Sequence, residues 1–120
     1  MQSNVKLLLV EDNPMVLAML RDALSPLAHV TTAGDGADAL LKAVDEAPDL
    51  LVSDYRMPGI NGLELIHRCK LIHPTLKVIA ASANILDEEI EKYPFRPDRI
   101  LPKPYSTEGL LAMVKSLLPD

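Results

Sequence analysis

Short aliphatic runs alternate along the chain with longer segments in which apolar residues recur every three or four positions. Residues Lys6–Val10 read KLLLV, apolar after the first position and short enough for a buried strand. Asn13-Pro14 follows as an N-cap and an N1 proline. Val16, Leu20, Ala23, Leu24 and Leu27 then share one helical face, with Pro26 marking the end. His29–Ala33, rich in Val and Thr, predicts a second strand. Asp35 caps a second helix whose expected inward face is Ala37, Leu40, Leu41 and Val44, closed by Pro48. Residues 50–53 predict a third strand, with Asp54 at its carboxyl end. Asn61-Gly62 opens a helix with Leu65, Ile66, Cys69 and Ile72 inward, stopped by Pro74. Residues 77–81 predict a fourth strand. Residues 87–92 allow about two helical turns before Pro94 and Pro97 forbid more. Residues 99–101 predict a short fifth strand. Ser106 caps a last helix with Leu110, Leu111, Val114, Leu117 and Leu118 on one face.

Five strands alternating with five helices predict a doubly wound α/β domain. The strands are mostly continuous in apolar residues, so both sheet faces should be covered, as in a parallel sheet with right-handed crossovers. The length of 120 residues suits one domain spanning 1–120, with its core at about 5–118. Aromatic residues are only 3% of the chain, so the core must be aliphatic. The net charge of −5 argues against nucleic-acid binding, which needs a positive surface to displace counterions. No apolar run approaches the roughly 18 residues of a membrane span, and the run near the start is too short for a signal peptide. Cys69 is the only cysteine, which excludes an internal disulfide and a cysteine metal cluster. These features lead us to expect a cytoplasmic protein without membrane contact.

Ligands of doubly wound sheets bind at the carboxyl ends of the strands, where the strand order reverses. The first strand runs into Glu11-Asp12, the third ends at Asp54, the fourth ends near Ser82, and the fifth runs into Lys103-Pro104. Carboxylates within about 5 Å of each other repel by about 3 kcal/mol per ionised pair at an effective dielectric near 20. A structural role alone does not explain that cost. A hard divalent cation does, and oxygen ligands with retained waters suit Mg²⁺. Three carboxylates, one Mg²⁺ and one lysine sum to −3 + 2 + 1 = 0. An aspartate in that setting is a competent nucleophile toward phosphorus, with Mg²⁺ and lysine stabilising the transferring oxygens.

Four segments carry a family resemblance: Leu8-Leu9-Val10-Glu11-Asp12-Asn13, Asp54-Tyr55-Arg56-Met57-Pro58-Gly59-Ile60-Asn61-Gly62, Ser82-Ala83, and Leu101-Pro102-Lys103-Pro104-Tyr105. The chain resembles a response-regulator receiver domain of two-component signalling, similar to the chemotaxis regulators, over residues 5–118. The resemblance implies a flavodoxin-like five-stranded sheet of order 2-1-3-4-5, here with a shortened fourth helix. It implies Asp54 as phosphoacceptor and Mg²⁺ held by Asp12 and Asp54, with Glu11 acting through water and the backbone carbonyl of Arg56 as a further ligand. Ser82 would be the switch hydroxyl that follows the phosphate. Lys103 would pair first with Asp54 and then with the phosphoryl group, and the bond to Pro104 would be cis. The donor would be a histidine kinase or histidine phosphotransfer protein, and the output a downstream protein or an attached domain.

The chain is set apart from the family pattern in three places, one of them Arg56 and Asn84 at the two variable positions, two residues after Asp54 and Ser82, that tune phosphoryl lifetime in the family. Ile100 stands at the second switch position, three residues before the lysine, where the family usually has Tyr or Phe. Tyr105 follows the lysine and is a different position. Tyr93-Pro94-Phe95-Arg96-Pro97 lies where the family's fourth helix leads into its fifth strand. We expect the face built from the fourth helix, fifth strand and last helix to be remodelled and the family's usual dimer across it to be absent. Met15, Val16 and Met19 lie just after the acidic pair. They either cover the core edge or form the patch on which the family docks the donor's helices. His67 and His73, six positions apart, fall on different helical faces and suit no metal site. An aspartate-nucleophile phosphatase needs an acid two residues after Asp54, where Arg56 stands. An FMN binder needs a Gly/Ser/Thr-rich loop where Glu11-Asp12-Asn13-Pro14 stands. The alternative to a phosphorylated switch is a degenerate receiver acting as a phosphorylation-independent interaction module.

Overall fold

Three helix starts follow directly from side-chain caps. In the computed structural model, which describes residues 4–55, 62–82 and 97–118, the Asn13 side chain accepts from the Met15 and Val16 amides, and Pro14 opens α1 (Pro14–Leu24). Asp35 accepts from the Asp38 amide at the start of α2 (Gly36–Glu46). Ser106 accepts from the Gly109 amide at the start of the last described helix, α4 (Thr107–Leu117). Between them lies α3 (Gly62–Ile72). Ala47, just past α2, adopts the left-handed conformation (φ 47°) and directs its amide to the Ala43 carbonyl. A β-carbon makes that conformation costly, by about 1–2 kcal/mol.

The strands β1 (Lys6–Val10), β2 (His29–Ala33), β3 (Leu50–Asp54), β4 (Lys77–Ser82) and β5 (Arg99–Pro102) form one sheet of order β2-β1-β3-β4-β5. Every pairing is parallel. The continuous burial of β1, β3 and β4 has its cause in this arrangement, because alternate residues enter opposite cores. Leu8, Val10, Leu51, Val78 and Ala80 join α2 and α3 on one face. Leu7, Leu9, Leu50, Val52, Ile79 and Ala81 join α1 and α4 on the other. The fold class and strand order are those expected. No described helix is long and apolar enough to cross a membrane.

Two expected helix faces are corrected. In α2 the buried residues are Gly36, Ala39 and Ala43, while Leu41 is 67% and Val44 58% exposed and Ala37 is exposed. The helix lies against β1 and β2 through alanines, whose small side chains permit close approach, and Leu40 packs at the edge of that core. In α3 Leu63 is buried and Ile72 exposed. The helix expected at 87–92 and the segment 93–96 lie outside the described residues.

Candidate functional site

Strand register brings the candidate site residues to one rim. Val10 pairs with Ser53, so Glu11 and Asp54 leave adjacent strands at the same level. Asp54 pairs with Ala81, and the Tyr55 amide donates to the Ala81 carbonyl at 2.9 Å. Ser82 pairs with Pro102, and the Lys103 amide donates to the Ser82 carbonyl at 2.9 Å. The order reverses between β1 and β3, where the chain goes first to β2 and then to the other side. The acidic residues flank that point, where ligands of such sheets bind.

Glu11, Asp12 and Asp54 each offer a carboxylate oxygen, and these oxygens lie within 4.8 Å of one another. The Lys103 ammonium donates to Asp54 Oδ2 at 2.7 Å. Glu11 is only 8% exposed. Burial pushes its carboxyl above the usual range, aided by Asp12 and the charge of Asp54, while the Asn13 amide opposes the shift. Burial works against the charge of Lys103, yet the hydrogen bond and charge of Asp54, with Glu11, carry its net shift upward. Burial also raises the Tyr105 hydroxyl, with Glu11 adding to the effect and Lys103 opposing it.

The donor set fits a hard divalent cation. It is all oxygen, it is crowded with like charge, and one lysine offsets only part of that charge. Arg56, whose carbonyl was expected to join it, lies outside the described residues. Ser82 is buried at the end of β4. Ile100 is exposed on β5, and the Lys103–Pro104 bond is cis. Met15 is 83% and Met19 53% exposed, beside half-buried Val16.

Two site features escaped the sequence reading. A β-carbon on Gly62 would stand 2.6 Å from the Tyr55 Cα and carbonyl oxygen and 2.8 Å from the Asp54 oxygen. Glycine therefore lets α3 begin against the very residues that present the phosphoacceptor candidate. The Asn61-Gly62 pair had signalled only a helix start. The second feature is the Asn13 amide, which donates to Glu11 Oε2 at 2.9 Å. No residue pattern announces a backbone amide.

The response regulator receiver domain profile matches residues 7–115. The chain belongs to that family, the receiver domains of two-component signalling. It is 31% identical to the probable transcriptional regulatory protein TcrX of Mycobacterium tuberculosis over 116 residues, 95% of this chain and 50% of that protein. It is 33% identical to the sensor histidine kinase TmoS of Ectopseudomonas mendocina, covering 94% of this chain and 12% of that protein. The chain thus spans half or less of these curated relatives. Its fold is similar to that of chemotaxis protein CheY4 of Vibrio cholerae, with TM-score 0.84 and 24% identity over 97% of this chain and 100% of that one.

Proposed function

We propose that the chain is a phosphorylation-dependent switch in which Asp54 accepts a phosphoryl group from a phosphohistidine of a kinase or phosphotransfer protein. The observation that carries this reading is the 2.7 Å Lys103–Asp54 pair set against the Glu11–Asp12–Asp54 cluster. Asp12, Asp54 and the Arg56 carbonyl would hold Mg²⁺, with Glu11 acting through water. When bound, the ion supplies positive charge to the phosphoryl oxygens. An Asp54 carboxylate oxygen attacks phosphorus while the N–P bond breaks and the imidazole takes the electron pair. Lys103 pairs with Asp54 before transfer and with a phosphoryl oxygen after it, so its charge is satisfied at both ends of the step. Ser82, at the end of β4, donates its hydroxyl to the phosphoryl group and, with Ile100 in place of an aromatic residue, forms the switch. Met15, Val16 and Met19 provide an adaptable apolar surface for the donor's helices. The −5 charge favours a protein rather than nucleic acid as partner, and we place the domain in the cytoplasm.

Intact mass after incubation with Mg²⁺ and a small acyl phosphate tests this. The wild-type chain should gain one phosphoryl group, and Asp54→Asn should gain none. No gain in the wild-type chain would sink the reading and leave the interaction module.

A further inference from the structure

We infer that Asn13 is a positioning residue for cation binding, acting through Glu11. The inference rests on the Mg²⁺ site proposed above. Asn13 makes hydrogen bonds in two directions. Its side-chain oxygen accepts from the Met15 amide at 2.9 Å and the Val16 amide at 3.2 Å, which fixes it to the first turn of α1. Its own amide donates to Glu11 Oε2 at 2.9 Å. The helix cap therefore orients the amide, and the amide orients the carboxylate.

The physical need for such a brace lies in the cluster itself. Glu11 sits among carboxylate oxygens no more than 4.8 Å apart, so repulsion favours turning its carboxylate away. Desolvation adds to that tendency, since Glu11 is buried. The Asn13 amide engages Oε2 of Glu11 and so holds the carboxylate at the cluster, where it can act on a cation through water. Partners of this kind that orient a ligand typically change metal affinity by about 10–100-fold. The backbone amide survives substitution of Asn13 and only its fixation is lost, so the lower end of that range applies. The same hydrogen bonds join the acidic cluster to the turn that carries Met15.

Titration of the metal-free protein with MgCl₂ by calorimetry, well below the melting temperature, provides the test. Asn13→Ala should bind Mg²⁺ about tenfold more weakly. Asn13→Ser, which also caps a helix, should bind within about twofold of wild type. Val114→Ala supplies the control for general loss of stability. Val114 is buried in the second half of α4, and its truncation should leave Mg²⁺ affinity unchanged. The inference is overturned if folded Asn13→Ala binds as tightly as wild type, or if Val114→Ala weakens binding as much. If the wild-type chain takes up no Mg²⁺, the inference falls together with the phosphorylation reading. Wild-type uptake with an unaffected Asn13→Ala overturns the inference alone.

Discussion

A carboxylate that is both buried and crowded by two others is a source of instability in the metal-free protein. For Glu11 the folded state raises the pKa above the unfolded value. Below the unfolded value both states are protonated and the contribution is full. As pH rises through the folded value, the unfolded chain has already ionised, and stability is lost. At neutral pH Glu11 is therefore on the unfavourable side of that loss. Glutamine mimics the protonated form and still accepts from the Asn13 amide. Glu11→Gln should raise the melting temperature of the metal-free protein by a few degrees at neutral pH, with the gain shrinking on acidification. Thermal unfolding in a chelator at several pH values checks this. A lower melting temperature at neutral pH would contradict it.

At the scale of elements, α2 shows where hydrophobic periodicity misleads. Its larger apolar residues, Leu41 and Val44, point to solvent, and its alanines face the sheet. Two apolar stripes competed in the sequence, and side-chain size favoured the wrong one. The helix packs close to β1 and β2, where there is room for alanine. Ala43→Leu should then cost about 1–3 kcal/mol by overpacking. Leu41→Gln should change stability by less than about 0.5 kcal/mol. Urea unfolding of both variants decides the matter, and the opposite ranking would restore the expected face. The caps Asn13, Asp35 and Ser106 were legible because capping is local chemistry in one or two side chains. The strands were legible for a similar reason, as their burial needs only a continuous apolar run. Gly62 and the Asn13–Glu11 bond were not, because each depends on how close two separate segments come. Strand ends revealed the acidic cluster because the doubly wound topology delivers every strand end to one rim.

For the whole molecule, the net charge of −5 is unevenly placed, since three of its acids converge at the rim between β1 and β3. Simple salt relieves such a cluster poorly. The Debye length at 0.1 M ionic strength is about 10 Å, well beyond the 4.8 Å that spans the oxygens. A bound divalent cation acts inside that distance. Sodium chloride should therefore raise the melting temperature of the metal-free protein only modestly. Magnesium chloride at equal ionic strength should raise it further, because a ligand at 100 times its Kd adds about 2.7 kcal/mol to the folded state. Asp12→Asn removes one charge and one donor, so it should shrink the magnesium-specific increment while leaving the sodium response nearly intact. Matched melting curves in the two salts make the comparison. Equal rises in both, for the wild-type chain, would mean that the cluster is screened rather than occupied and that Mg²⁺ has no specific place at this rim.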